Sequence, residues 1–245
     1  MQDMTNQEFS NGFDTLVASY RRFKDFDNRE ILDSVEFDEY EKSFYLTKAQ
    51  EELVISLYNG KNPYGDSFES TEEMRRYLAP LVEETSLTPI QSASGTIGMG
   101  SASKFFTLPD NLLFITYEDV AVSDGKCGEG SRLDVYPVTQ DEYHKVKRNP
   151  FRGANDRRAL RLDLSDGVVE VVSKYSVTDY YVRYLRKPNP IILEDLPNEL
   201  EINGVSTSSA CELHESLHRR ILERAVAEAM QSKAAGGGKE NNNRK

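Results

Sequence analysis

The sequence predicts an α+β protein in which N-terminal helices and a long C-terminal helix pack together, with a central antiparallel β-sheet or sandwich inserted between them. Three observations predict it. Apolar residues recur three or four apart in the first hundred residues and again near the end, which is the spacing of one face of an amphipathic helix. Between those stretches, runs rich in Val, Tyr, Phe and Ile are cut by Asp-Gly, Asn-Pro and Asn-Gly dipeptides, the pattern of strands and turns. A chain of 245 residues can also bury a real core, as one large domain or two small ones. The predicted regions are a helical region over 1–100, a β-rich region over 101–205, a C-terminal helix over 206–232 that packs on the helical region, and a flexible tail over 233–245.

Thr5-Asn6-Gln7-Glu8 reads as a capping box, and Phe9, Phe13, Leu16, Val17 and Tyr20 follow it at helical spacing. Arg21, Arg22 and Lys24 close that helix with cations at the negative end of its dipole. A polar linker leads to Glu36, and Phe37 to Phe44 forms a short helix. Thr47-Lys48-Ala49-Gln50 then caps a separate one carrying Ala49, Leu53, Val54, Leu57 and Tyr58, with Asn59-Gly60 as its stop. Ser70-Thr71-Glu72-Glu73 starts a helix through Met74, Tyr77, Leu78, Leu81 and Val82, which Pro80 kinks or ends. Thr85 to Ser103 is a Ser- and Gly-rich loop. Its Gly95, Gly98 and Gly100 lack both the Gly-Lys-Ser/Thr and the preceding strand of a phosphate-binding loop.

Strands follow over Phe105 to Leu108, Leu112 to Val122 and, after a loop from Asp124 to Gly130, Arg132 to Val138. Thr139 caps a short helix that ends before Asn149-Pro150. Leu160, Leu162 and Leu164 alternate with Arg161 and Asp163, and Asp166-Gly167 turns that strand into Val168 to Lys174, a hairpin whose further partner is the strand Tyr180 to Leu185. Pro188 and Pro190 lack the N–H a ladder needs, so this strand ends there. Past Ile191-Ile192-Leu193 and the turn Asn203-Gly204, Ser209-Ala210-Cys211-Glu212 reads as a capping box opening a helix to about Ser232. Leu213, Leu217, Ile221, Leu222, Ala225, Val226, Ala229 and Met230 form its apolar stripe.

Composition excludes several function classes. The chain is 38% hydrophobic and 29% charged, with a mean hydropathy of −0.60, and no apolar run approaches the roughly 20 residues of a membrane helix. The first residues have neither the basic start nor the apolar segment of a signal peptide, which points to a protein made and used inside a cell. A net charge of −11 opposes a main role in gripping nucleic acid but is compatible with an acidic wall past which DNA slides. Cys127 and Cys211 are too few for a disulfide framework or a cysteine zinc cage, and no cofactor is expected.

Candidate chemistry reduces to two features. His214-Glu215-Ser216-Leu217-His218 fits H-E-x-x-H, in which two histidines one helical turn apart hold zinc and the glutamate activates water. The remaining histidine is His144 and no third ligand is indicated, so a zinc metallopeptidase is the alternative reading. The pairs Glu51-Glu52, Glu72-Glu73 and Glu83-Glu84 are explained by helix position, and no nucleophile stands in a recognisable elbow. The second feature is a basic cluster in an acidic chain. His144, Lys145, Lys147, Arg148, Arg152, Arg157, Arg158 and Arg161 lie close together in sequence, with Arg183, Arg186 and Lys187 placed near them on the sheet. A DNA-facing patch and a solvated loop are open readings, and a seam paired with acidic helices of the next subunit is the favoured one. Lys145, Arg148, Arg152, Arg157, Arg158, Arg186 and Lys187 are the candidate interface residues.

Several segments together resemble virion structural proteins of crAss-like, short-tailed bacteriophages, the ring or connector proteins of their neck and tail. They are Phe9 to Tyr20, Asp38 to Ser43, Leu46-Thr47, Ala49 to Glu52 and Leu57 to Tyr64 near the start, and Asp141-Glu142-Tyr143 through Arg152 and Arg157 to Leu162 in the middle. The end contributes Tyr184 to Leu193, Cys211-Glu212-Leu213-His214 and Leu217 to Val226, so the likeness covers most of the chain. The resemblance implies a head–tail connector, or portal adaptor, that assembles as a dodecameric ring with no catalytic residues. Its partners would be copies of itself, the portal protein and neighbouring ring or tail proteins. Genomic DNA would pass transiently through its lumen, and no membrane is involved. The place implied is the neck or tail of the virion, after assembly in the host cytoplasm.

Overall fold

In the computed structural model of the chain, the described residues are 4–24, 36–61, 67–68, 71–91, 103–123, 131–197 and 199–237. Among the described residues five helices and seven strands give a mixed α+β fold. The strands form one sheet, and the chain divides into two compact units: Met1–Leu81 with Pro188–Lys245, and Val82–Lys187. The boundaries therefore lie at Leu81 and Pro188, where sequence placed them near 100 and 205. Leu81 ends a 3₁₀ turn that leads directly into a strand, and Pro188 stops another for want of an N–H.

The helical unit contains α1 (Asn6–Lys24), α2 (Glu39–Tyr58), α3 (Glu72–Leu78) and α5 (His218–Gly237). Thr5 and Glu8 form the capping box expected for α1: the Thr5 N–H donates to the Glu8 carboxylate at 2.7 Å, and the Glu8 N–H donates to Thr5 Oγ1. Phe9 and Phe13 of α1, Leu46, Val54 and Leu57 of α2, and Ile221, Ala225 and Ala229 of α5 are all fully buried. The two helices expected over 37–58 are one. Asp38 and Glu41 make the capping box, and Thr47, the expected second cap, sits inside the core. Its hydroxyl donates to the Ile191 carbonyl at 3.2 Å and accepts the Ile191 N–H at 3.0 Å. Ser43 accepts the Leu193 N–H, Gln50 donates to the Asn189 carbonyl, and Asn6 donates to the Ile192 carbonyl. Polar side chains of α1 and α2 thus satisfy an irregular segment from Asn189 to Leu193, buried from Pro190 onward, whose backbone joins no strand beyond a single bridge at Ile192.

Other helix boundaries also differ from those read in sequence. α3 stops at Leu78, and Val82 belongs to a strand, because Pro80 cannot continue a helix. Ser209 and Glu212 do not open α5: Ser209 bridges Ile192 and its hydroxyl donates to the Pro190 carbonyl, while Glu212 accepts the Asn189 N–H. A 3₁₀ turn over Glu215–Leu217 with His214 as its N-cap leads into α5, which continues past Ser232 to Gly237. Residues 238–245 of the expected tail lie outside the described residues, as do most of the linker before Glu36, the Gly95–Gly100 run, the 124–130 loop and Cys127. Asn59-Gly60 and Asn203-Gly204 do turn the chain, Asn203, Gly60 and Gly204 taking φ of 52°, 70° and 78°.

The β unit is a seven-stranded sheet. Its strands are β1 (Val82–Leu87), β2 (Lys104–Thr107), β3 (Leu112–Val122), β4 (Ser131–Pro137), β5 (Arg158–Asp163), β6 (Val168–Val172) and β7 (Val177–Arg186), in the order β1-β7-β3-β4-β5-β6-β2. The sheet curls until its two edges meet at a bridge between Ile90, just beyond β1, and Phe105 of β2. The expected loop from Thr85 therefore begins as strand. Asp166 (φ 57°) and Gly167 (φ 69°) make the β5–β6 hairpin turn, as the Asp-Gly signal required. β7 does not extend that hairpin. At ten residues it pairs with the eleven-residue β3 and with β1, and β6 takes β2 instead. One pairing is parallel, β4 with β5, because α4 (Gln140–Val146) is a crossover between them.

Inside the curl, Phe106, Val120, Val122, Leu133, Val135, Val169, Val171, Tyr180, Val182 and Tyr184 pack together. Outside it, α4 covers β5 and β6 with Tyr143 and Val146 against Leu160, Leu162 and Val172. Side chains alternate across a strand, so the leucines of β5 face α4 and Arg161 is turned to the other face, where it is 9% exposed.

Candidate assembly surface

Arg161 leaves the basic cluster because its strand parity buries it. Its guanidinium meets the Glu118 carboxylate at 2.9 Å, and Tyr180, fully buried, donates its hydroxyl to the same carboxylate. Burial pushes Glu118 above the ordinary glutamate value while Arg161 and the Tyr180 hydroxyl oppose it, and burial with the Glu118 charge drives the Tyr180 phenol far upward. The phenol keeps its proton and donates it. This triad is an interior polar lock, not a surface for a partner.

Arg186 and Arg183 are also engaged within the β unit, with Glu83 at 2.9 Å and Glu84 at 3.2 Å respectively. Lys187 is exposed. The rest of the cluster gathers where α4 ends and the chain returns to β5. Lys145, Lys147, Arg148, Arg152 and Arg157 are exposed, and among the described residues none of the five makes an ion pair, Lys147 lying 5.8 Å from the Tyr143 ring centroid. Arg158 stacks its guanidinium 4.1 Å from the Tyr136 ring centroid and donates to the Phe151 carbonyl at 2.9 Å.

The loop that carries these cations is tightly built. Asn149 Oδ1 accepts the N–H groups of Phe151 and Arg152 at 2.9 and 3.2 Å, and the Gly153 N–H donates to the Asn149 carbonyl at 2.7 Å. A Cβ on Gly153 would lie 2.8 Å from the Asn149 carbonyl and 2.9 Å from that of Val146, both backbone atoms, so only glycine lets the loop fold onto the end of α4. At its tip Phe151 is 84% exposed. Sequence reading passed over this residue. Its signal was an aromatic flanked by Pro150 and Arg152 in a segment otherwise made of turn formers and cations.

The H-E-x-x-H segment does not present two imidazoles from one helical face. His214 precedes the 3₁₀ turn and accepts the Ser216 N–H, and His218 is the first residue of α5 and 1% exposed. His218 Nδ1 accepts the Met4 N–H at 3.3 Å and its Nε2 faces the Leu213 carbonyl at 2.8 Å, an arrangement that assigns the proton to Nε2. Both ring nitrogens tie α5 to its surroundings. Among the described residues no three His, Cys, Asp or Glu side chains gather as a metal site. Cys211 donates its thiol to Gln50.

Charge divides between the units. Met1–Leu81 with Pro188–Lys245 holds 16 Lys and Arg against 26 Asp and Glu, a net of −10, whereas Val82–Lys187 holds 14 against 15. Within the second, the run from Lys145 to Arg161 carries seven of the fourteen cations and one acid, Asp156, which pairs with Lys174. No described helix is long and apolar enough to cross a membrane.

Residues 4–241 match the model of a family described as phage tail ring protein 3/4. The chain is 48% identical over 235 residues to a protein named ring protein 3 of Bacteroides phage crAss001, covering 94% of this chain and 96% of that one. It is 31% identical over 232 residues to ring protein 4/5 of the same phage, covering 91% of each.

Proposed function

The chain belongs to the phage tail ring protein 3/4 family and is a structural ring protein of a crAss-like phage, and from that premise we propose that it forms a closed ring, dodecameric, joining the portal side of the neck to the tail. The ring would surround the channel through which the genome leaves. The protein acts mechanically, without a catalytic residue, and is built into the virion after assembly in the host cytoplasm.

The observation that carries this reading is the uneven charge of one chain. A helical unit of net −10 and a β unit whose α4–β5 corner exposes unpaired Lys145, Arg148, Arg152 and Arg157 are complementary surfaces on the same polypeptide. In a head-to-tail interface each copy offers one surface and receives the other, and the contact closes into a ring when the rotation between copies closes. Complementary charge sets register and speeds encounter more than it adds affinity, which suits subunits that must find one geometry. Arg186 is held by Glu83 and contributes less to such a seam than the exposed cations. The acidic helical unit is also compatible with a channel past which DNA slides, since it offers few phosphate contacts.

The test is co-purification. Full-length protein expressed with the portal protein of the same phage, and separately the protein fraction of purified virions, should contain this chain in an oligomeric band near equal stoichiometry with other ring proteins. Its absence from virions would contradict the proposal, and its presence without portal association would remove the joining role alone.

A further inference from the structure

The basic corner holds an aromatic side chain that charge pairing alone does not explain. Phe151 is the most exposed large apolar residue among those described, at 84%. Its backbone is nonetheless held from three sides, by Asn149 Oδ1 on its N–H, by Arg158 on its carbonyl and by the close-packed Gly153 two residues on. Single exposed hydrophobics on loose loops are ordinary. A tightly bonded tip that exposes one phenyl ring, in a loop that also carries Arg148 and Arg152, is instead the form of an interface anchor, because an ordered loop loses little entropy when the ring is buried.

The helical unit has a recess that suits it. Between α1 and α5 lies an open groove of about 410 Å³, with Met4, Gly12, Thr15, Leu16 and Leu222 among its lining residues. Gly12 keeps α1 close to α5 here: a Cβ would fall 2.7 Å from Leu222 Cδ2. Exposed Glu8 lies one turn before Gly12 on α1, and on α5 Arg219 and Glu223, paired at 2.9 Å, line the groove beside Leu222, so the apolar floor has a charged rim with two acids and one cation.

We propose that Phe151 of one copy seats in the α1–α5 groove of a second copy, with Arg148 and Arg152 at the rim that carries Glu8 and the Arg219–Glu223 pair. This deepens the ring reading and rests on it: the seam that reading invokes gains an apolar centre and a cationic rim, the arrangement in which a few buried anchors carry most of the binding energy. The occupant is a second copy because anchor and groove occur on the same chain of a ring protein family, and the unit that holds the groove carries a net −10 while the loop that holds the anchor is basic, as a head-to-tail contact requires.

The experiment places the photo-crosslinker p-benzoylphenylalanine at position 151 of the full-length chain and maps the crosslinked peptides. The expected product joins position 151 to a peptide of a second copy within Met4–Leu16 or Arg219–Glu223. Phe151→Ala should weaken self-association by at least about 30-fold, the effect of losing an anchor worth roughly 2 kcal/mol. Thr15→Trp, which fills the groove from an exposed position, should do the same, and both variants should keep the parent's thermal midpoint. Oligomers that persist in both variants, or that crosslink only elsewhere, would overturn this inference and leave the ring reading standing. Capture of position 151 by another segment of its own chain would overturn it equally. A chain that shows no contact between copies under any condition contradicts both.

Discussion

The two units of this chain join distant segments through different polar groups. In the helical unit the buried, neutral side chains Ser43, Thr47 and Gln50 each bond a backbone group of Asn189–Leu193, stitching the returning chain onto α2, while the buried Lys42 meets Asp14 and Glu39 at 2.8 Å between α1 and α2. In the β unit the buried polar centre is ionic, Glu118 with Arg161 and Tyr180, and it joins β3, β5 and β7 across the inside of the curl. Neutral bonds to backbone replace a missing ladder, and their loss leaves unsatisfied amides. A buried ion pair adds little net stability over apolar packing, yet breaking it leaves a bare charge, so it specifies one arrangement of the strands. The outer surfaces divide the same way. The helical unit is acidic, and the β unit is near neutral with a basic corner.

The largest expected effect tests the ionic half of that contrast. Arg161→Leu strands the Glu118 carboxylate and should cost about 3–5 kcal/mol in chemical denaturation, whereas adding Glu118→Leu to it should recover most of that loss. If the double variant is as unstable as the single, the triad is not the source of the cost. On the helical side Ile221→Ala removes a fully buried side chain from α5, and unfolding should show a loss of about 2–5 kcal/mol. Thr47→Val keeps volume but leaves the Ile191 N–H and carbonyl without their partner, for a loss of about 1–3 kcal/mol. An unchanged midpoint for Thr47→Val would mean the returning segment is held by packing alone.

The smallest effect is a pH dependence. Burial alone would raise the Glu228 carboxyl, but hydrogen bonds from Lys48 and Arg224 outweigh it and hold the group below the ordinary glutamate value. A carboxyl whose folded value is depressed stabilises the fold above its unfolded value and loses that contribution as pH falls through the folded one. Glu228→Gln should therefore leave a flatter stability profile on the acid side of the ordinary glutamate range, read by thermal melts from neutral pH downward. An unchanged acid limb would remove Glu228 as a source of it.

Much of the fold was legible because local signals agreed with tertiary demands. Thr5-Glu8, Asn59-Gly60, Asp166-Gly167 and Asn203-Gly204 each act as their chemistry requires. The misread helix caps share one cause. Thr47, Ser209 and Glu212 have the residue types of helix caps, but each is drawn to the backbone between Asn189 and Ile192, a long-range partner no local pattern reveals. Arg161 misled for a related reason. Alternation told that its strand had two faces, and the apolar residues were assigned to the core, yet α4 supplies a second apolar surface and the arginine faces the inside of the curl. Of the surface, the cations were visible in sequence as a cluster. Their division into an interior member, paired members and exposed ones depends on strand parity and on Glu83, Glu84 and Glu118 arriving from β1 and β3. The α1–α5 groove joins residues some two hundred positions apart and had no local signature.

The claim that copies of this chain complete one another is tested most directly by native mass spectrometry of the purified full-length protein, with negative-stain imaging of the same sample. Twelve copies of 27.8 kDa predict a species of about 334 kDa that appears as a closed ring with a central opening. A 27.8 kDa monomer that persists at high concentration and in the presence of the portal protein would contradict the account.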